Sequence, residues 1–265
     1  MSNKQMREKS GNMRKNVLRL AYKAGNKGAH IAPSLSMVEI MEVLFCEVMD
    51  HSKDLFVLSK GHGGLGYYCA MAEAGLISKE QLDTFEDNGG YFPGQPSRDE
   101  KNGIIFSSGS LGMGLSYAAG LAWAAKEKGE DRTIYTLIGD GELNEGSNWE
   151  SAMLIPYKGL NNVVAIVDYN GMQSDGFSKD ILQVDLASLW RACGWEVIEC
   201  DGHDEEALLE AYNAQTDKPK AILAHTVKGK GVSFMENDRT WHHNHMSEEQ
   251  YNDAIREVED KLNQE

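Results

Sequence analysis

Two apolar runs of strand length constrain this chain more than any other feature. They cover residues 133–138 and 163–168. The first closes on Gly139-Asp140-Gly141-Glu142 and the second on Asp168-Tyr169-Asn170-Gly171-Met172. An uninterrupted apolar run reads as a strand buried on both faces of a parallel sheet. Further strands are expected at 195–200 and 221–226, and helices at 112–128, 146–157, 186–193 and 205–214. This alternation predicts an α/β fold: a doubly wound, mostly parallel sheet flanked by helices, with ligands at the carboxyl ends of its strands. No repeat or linker divides the chain, so residues 1–265 are expected to form one domain, with a C-terminal helix over 247–265. Ser247 with Gln250, Ser78 with Gln81, and Ser36 with Glu39 have capping-box spacing and mark expected helix starts.

The 265 residues carry 26 Lys and Arg against 41 Asp and Glu, a formal net charge of −15. Phosphate binding needs clustered basic residues, so nucleic acid is not the expected partner. An anionic ligand has to be held against this global field by a metal ion or by backbone dipoles. No run approaches the roughly 20 apolar residues of a membrane helix, so no membrane association is expected. The polar N-terminus lacks the apolar core of a secretory signal. Cys46, Cys69, Cys193 and Cys200 are scattered and read as buried free thiols of a cytoplasmic protein.

In a parallel sheet, residues just past neighbouring strand ends meet although they are far apart in sequence. Asp140 offers a hard anionic oxygen, and Asn170, about 30 positions downstream, a hard neutral one. Such a pair suits Mg2+ or Ca2+ and leaves coordination room for phosphate oxygens. Gly139 and Gly141 let the backbone approach a diphosphate, and the N-terminus of the helix that follows favours its charge. A plain Gly-Asp-Gly turn with an unrelated Asn is the bland alternative. A nicotinamide fingerprint is disfavoured, because the glycine run from Gly109 lacks an acid placed for a ribose. His30 and His62 lie in loops of small residues, where a packing role is unexpected. His51, His203 and His225 have no motif around them and read as structural or surface residues. His242, His243 and His245 crowd one segment, where a metal site or a single active-site histidine are both open readings.

The run from Gly139 to Gly146 with Asn170 resembles the thiamine diphosphate signature. The wider chain resembles the N-terminal part of transketolases. The matching pieces are residues 28–36 around His30, Leu58-Ser-Lys60-Gly61-His62-Gly63, residues 91–96, Ser108-Gly109-Ser110-Leu111-Gly112-Met113-Gly114, and Lys228 to Glu236 ahead of Trp241-His242. They occur in the family's order. The resemblance implies the thiamine-diphosphate-binding fold with a diphosphate-type domain. It implies Asp140, Asn170 and the Met172 carbonyl as ligands of Mg2+ (or Ca2+). It also implies a cofactor-binding set of His62, Gly109, Ser110, Leu111, Gly139, Asp140, Gly141, Glu142, Glu145, Asn170 and Met172. Glu145 matches a glutamate between two cofactor sites. His30, His62, His242 and Gln95 are the implied catalytic residues lining a sugar channel.

Two departures surround the sugar rather than the cofactor. Gln95 stands where the family usually has a histidine, and it cannot become a cation or transfer a proton. Ala32-Pro33 replaces two usual glycines. The implied reaction is transfer of a two-carbon ketol unit from a ketose to an aldose, with an unusual donor sugar open. After Trp241 the sequence offers only one amphipathic helix. The pyrimidine-binding and C-terminal domains of transketolases are therefore expected on a second polypeptide, in an α2β2 assembly that works on sugar substrates. Two expectations compete with this one: part of a thiamine enzyme of the 2-oxoacid dehydrogenase type, or a non-catalytic binding subunit.

Overall fold

The computed structural model describes residues 2–264. Five strands form one parallel sheet: β1 (Leu55–Leu58), β2 (Ile134–Gly139), β3 (Val163–Tyr169), β4 (Glu196–Asp201) and β5 (Lys220–His225), in the order β1-β2-β3-β5-β4. The expected doubly wound α/β architecture is thus present. Strand residues alternate between two apolar layers. Val163, Ala165 and Val167 face one, packed with Leu115, Ala118, Ala122, Ile155, Leu186 and Trp190 from the helices Gly114–Lys128, Gly146–Tyr157 and Leu186–Ala192. Val164 and Ile166 face the other, with Val17, Ile40, Tyr68, Leu208 and Val258 from the helices Asn3–Lys23, Val38–Val43, Gly64–Glu73, Glu205–Asn213 and Glu248–Gln264. Period-two alternation inside an all-apolar strand follows from the pleat, with both faces covered.

The register of the central pair positions the site. Gly139 is the partner of Asp168, so Asp140 and Asn170 are the first residues past two adjacent strand ends, Asn170 one position further along. The capping boxes at Ser78–Gln81 and Ser247–Gln250 form as expected, with Gln250 N donating to Ser247 Oγ at 3.2 Å. The expected Ser36–Glu39 box does not form. Ser36 Oγ donates instead to Pro33 O and to Asp168 Oδ2 at 2.6 Å, and Glu39 pairs with Arg14 at 2.7 Å and with His203 at 2.9 Å. The chain there makes two short helices, Ala32–Leu35 and Val38–Val43, because long-range partners outcompete the local cap. The polar first residues belong to a 21-residue helix whose inner stripe includes Met6, Met13, Val17 and Leu20. The four cysteines are free thiols; Cys69 is buried, and the other three are half-buried rather than fully enclosed as expected. No helix among the described residues is long and apolar enough to cross a membrane.

Candidate active site

Asp140 follows the last residue of β2 and starts the short turn Gly141–Asn144. Its Oδ1 accepts from Gly141 N at 2.9 Å. Its Oδ2 reaches the loop after β3 and accepts from Gly171 N at 2.9 Å and Ser178 Oγ at 3.3 Å. Asn170 Oδ1 accepts from Met172 N at 3.1 Å, which aims one amide oxygen along the same loop. Burial and the neighbouring Asp168 charge push the Asp140 carboxyl up to about 6 against these neutral donors. The two oxygen-bearing side chains therefore share one loop junction.

Both line a cavity of about 250 Å3 together with His62, Leu111, Gly139, Gly141, Glu145, Met172, Lys228 and His242. Gly139 and Gly141 both line the cavity with backbone alone, and at Gly141 an added Cβ would lie 2.8 Å from Gln173 Cγ. Lys228 Nζ lies 3.0 Å from His242 Nδ1. As an ammonium it can only donate, so Nδ1 accepts and the His242 proton sits on Nε2. Burial, and then the Lys60 charge, bring the Lys228 ammonium down to about 8, although Asp168 and Asp140 pull the other way. Burial likewise keeps His62 well below its ordinary range and His242 at about 3, with nearby lysines adding to the effect. The imidazoles are thus neutral, able both to donate and to accept.

Glu142, expected among the cofactor contacts, is buried. Its carboxylate accepts from Ser59 Oγ, from Gly112 N at 2.8 Å and from Gly139 N at 3.2 Å. It ties three loops of the cavity together. Gly109, Ser110 and Gln95 stand outside the cavity lining. Gln95 is exposed, and its Oε1 occupies the space a Cβ at Gly109 would need. His30 also lies beside the cavity, its ring centroid 6.2 Å from that of His62 and 5.5 Å from that of His242.

Beneath the cavity, Lys60 and Asp168 form an ion pair with no solvent exposure. Lys60 Nζ also donates to Pro33 O at 2.9 Å, while Asp168 accepts from Ser36 and Thr226. Burial alone would raise the Asp168 carboxyl; the Lys60 ammonium and the two hydroxyls hold it below the usual carboxylate range. This network joins the loop after His30, the loop after β1 and the ends of β3 and β5. Sequence reasoning gave no role to Lys228, Lys60 or Asp168. A lysine amid glycines was the readable sign for Lys228; nothing local marked the Lys60 pair, whose members are 108 positions apart.

A parallel sheet with an acidic turn and an Asn loop at adjacent strand ends, faced by a lysine and neutral imidazoles, defines an α/β domain of the thiamine-diphosphate-binding class. Residues 14–262 match the family described as transketolase, thiamine diphosphate binding domain, and the chain belongs to that family. It is similar to one of the subunits of apulose-4-phosphate transketolase from Actinobacillus succinogenes, 40% identical over 245 residues, covering 88% of this chain and 89% of that protein. The 6-deoxy-6-sulfo-D-fructose transketolase subunit SqwG of a Clostridium species is 39% identical over 243 residues, covering 87% and 88%. Human transketolase is 34% identical over 240 residues, covering 86% of this chain but 38% of that protein. Among solved structures, transketolase of Campylobacter jejuni superposes with a TM-score of 0.88 at 26% identity, over 98% of this chain and 43% of that one.

Proposed function

We propose that this chain is the diphosphate-binding subunit of a split transketolase. It transfers a two-carbon ketol unit from an anionic ketose to an aldose and acts only with a partner polypeptide. The observation that carries the reading is the convergence of Asp140, the Asn170–Met172 loop, His62, Lys228 and His242 on one cavity at the carboxyl ends of β2 and β3. The donor set fits thiamine diphosphate: backbone without side chains at Gly139 and Gly141, a hard carboxylate and an amide oxygen on one cavity, and a lysine lining it with them. Asp140, Asn170 and the Met172 carbonyl would hold Mg2+ (or Ca2+), whose charge offsets the repulsion between the carboxylate and a diphosphate. Gly141, His62 and Lys228 would bind the diphosphate, with Gly109, Ser110 and Leu111 toward the rings. Glu142 would set the cradle's shape, and Glu145 would stand at a subunit contact.

When bound, thiamine diphosphate supplies an electron sink for carbon–carbon bond cleavage. The chain's own part is to hold the sugar and move protons. His242, fixed by Lys228 with its proton on Nε2, would donate to a sugar oxygen. His30 and His62, neutral at working pH, would accept a hydroxyl proton and return it. Gln95 would orient the donor by hydrogen bonding alone. The relatives' names, an apulose-4-phosphate and a 6-deoxy-6-sulfofructose enzyme, support a donor with an anionic end.

We read residues 1–265 as one domain. The chain spans most of the relatives that are named as transketolase subunits and well under half of human transketolase. The names of those relatives as subunits support a second polypeptide, which we read as carrying the pyrimidine-binding and C-terminal domains in an α2β2 assembly. The free thiols support a cytoplasmic location. The test is calorimetric titration of the chain with thiamine diphosphate and Mg2+, with and without the partner, followed by a ketol-transfer assay. Binding with the partner present and turnover only in the mixture is the expected result. No binding in the mixture, or full turnover by the chain alone, overturns the reading.

A further inference from the structure

His243 lies outside the cavity lining, yet the backbone fixes it against His30. Ala29 and Asn244 form an isolated antiparallel bridge, with Ala29 N donating to Asn244 O at 2.9 Å and Asn244 N to Ala29 O at 3.1 Å. One step outward on each strand, His30 and His243 are direct cross-strand neighbours, the pairing in which side chains of an antiparallel ladder interact most strongly. Their rings meet edge to face, 4.6 Å between centroids and 75° between planes. The His243 ring also rests on Gly28, where a Cβ would lie 2.9 Å from Cε1 and 3.2 Å from Nδ1. Gly28 has a φ of 70°, so glycine is favoured there for conformation and for space alike. The His243 ring thus touches both Gly28 and His30, while its residue as a whole is exposed.

We propose that His243 is a positioning residue for His30: it fixes the His30 ring edge-on at the channel and sets a second ionisable ring directly against it. The groups facing His30 are His62 and His242 across the cavity, Lys228 and Lys60 below, and His243 on the bridge. Every one is neutral or cationic; none of them is a carboxylate that would support a charge on His30. Burial, and then the His243 charge ahead of the two lysines, bring the His30 imidazole down to about 4. Of His243, Lys228 and Lys60, only His243 stands at a solvent-exposed position, so it is the one that a substitution can remove without breaking the core.

The inference rests on the ketol-transfer reading only for the use His30 is put to; the pairing itself can be tested in the free chain. Histidine-labelled full-length chain is titrated by NMR as wild type, His243→Asn and His243→Lys. In His243→Asn the His30 midpoint is expected to rise by about half a pH unit, as a like charge at this range is removed. In His243→Lys the midpoint stays low. In both variants the His30 ring protons should move, because the neighbouring ring current is gone. An unchanged His30 midpoint in His243→Asn, or equal midpoints in the two variants, overturns the proposal. Failure of the wild-type two-subunit mixture to transfer ketol units would instead overturn the function and leave this titration standing.

Discussion

Lys60 and Asp168 meet under the floor of the cavity with neither side chain touching solvent, and their pairing ties two loops to two strand ends. Removing one partner of such a pair strands the other charge in a low-dielectric interior. Lys60→Met is therefore expected to lower the unfolding free energy by roughly 3–5 kcal/mol. Urea denaturation at neutral pH measures this. A loss below about 1 kcal/mol, the level of an exposed pair, would show that the two charges are not truly buried.

Asp140→Ala should abolish metal-dependent retention of thiamine diphosphate. It removes the single carboxylate of the donor set, while the cavity wall keeps the Glu142 anchor to Ser59, Gly112 and Gly139. Calorimetry with Mg2+ and the cofactor gives the answer, with circular dichroism confirming the fold. Near-normal cofactor content would remove Asp140 from the metal site.

Gly109→Ala forces a side chain onto a residue with a φ of 142° and into the space taken by Gln95 Oε1. A strained backbone of this kind costs of order 1–3 kcal/mol. The displaced Gln95 should raise KM for the donor sugar more than the dissociation constant of the cofactor. Equal effects on both would place Gln95 away from the sugar.

Glu42 gives a pH signature. It is fully buried, and both carboxylate oxygens lack a hydrogen-bond partner. Burial raises its carboxyl to about 8; Lys9 opposes this, while Glu47, Glu205 and Glu73 add to it. Between the unfolded value near 4.5 and the folded value of about 8, the native state holds a proton that the unfolded chain has lost, so stability falls as pH rises. Glu42→Gln should remove that slope and be more stable than wild type at pH 8 by a few kcal/mol, but not at pH 4. The depressed His30 and His242 contribute the opposite slope below pH 6.5, where the unfolded chain takes up protons first. That contribution is common to both proteins and cancels in the comparison. Parallel stability curves for the two proteins would contradict the burial of a neutral Glu42.

The parts of the molecule legible in the sequence are those in which neighbours in sequence decide the structure. β2 and β3 were readable from unbroken apolar runs, and the junction of Asp140 with the Asn170 loop followed from two strand ends in one parallel sheet. β1 escaped because four residues are too short for a period. The helix Asn3–Lys23 escaped because Gly11 and Arg14 sit on its buried face, one against Leu262 and the other against Glu39 and the Lys230 carbonyl. Glu39 carries the same lesson: its spacing from Ser36 promised a local cap, but Arg14 and His203, 25 and 164 positions away, claim the carboxylate. At the site, residue types were readable while pairings were not. Lys228 with His242 and Lys60 with Asp168 exist only once the sheet brings separate strand ends together.

The helix Asn3–Lys23 lies along Glu248–Gln264, with Tyr22 stacked on Tyr251 at 4.6 Å and Gly11 so close to Leu262 that a Cβ there would lie 2.5 Å from its Cδ1. During translation the first of these helices leaves the ribosome more than two hundred residues before its neighbour exists. Its groove stays wet until that late helix has been made, so docking of the two is a step that nascent chains stalled before residue 248 cannot make.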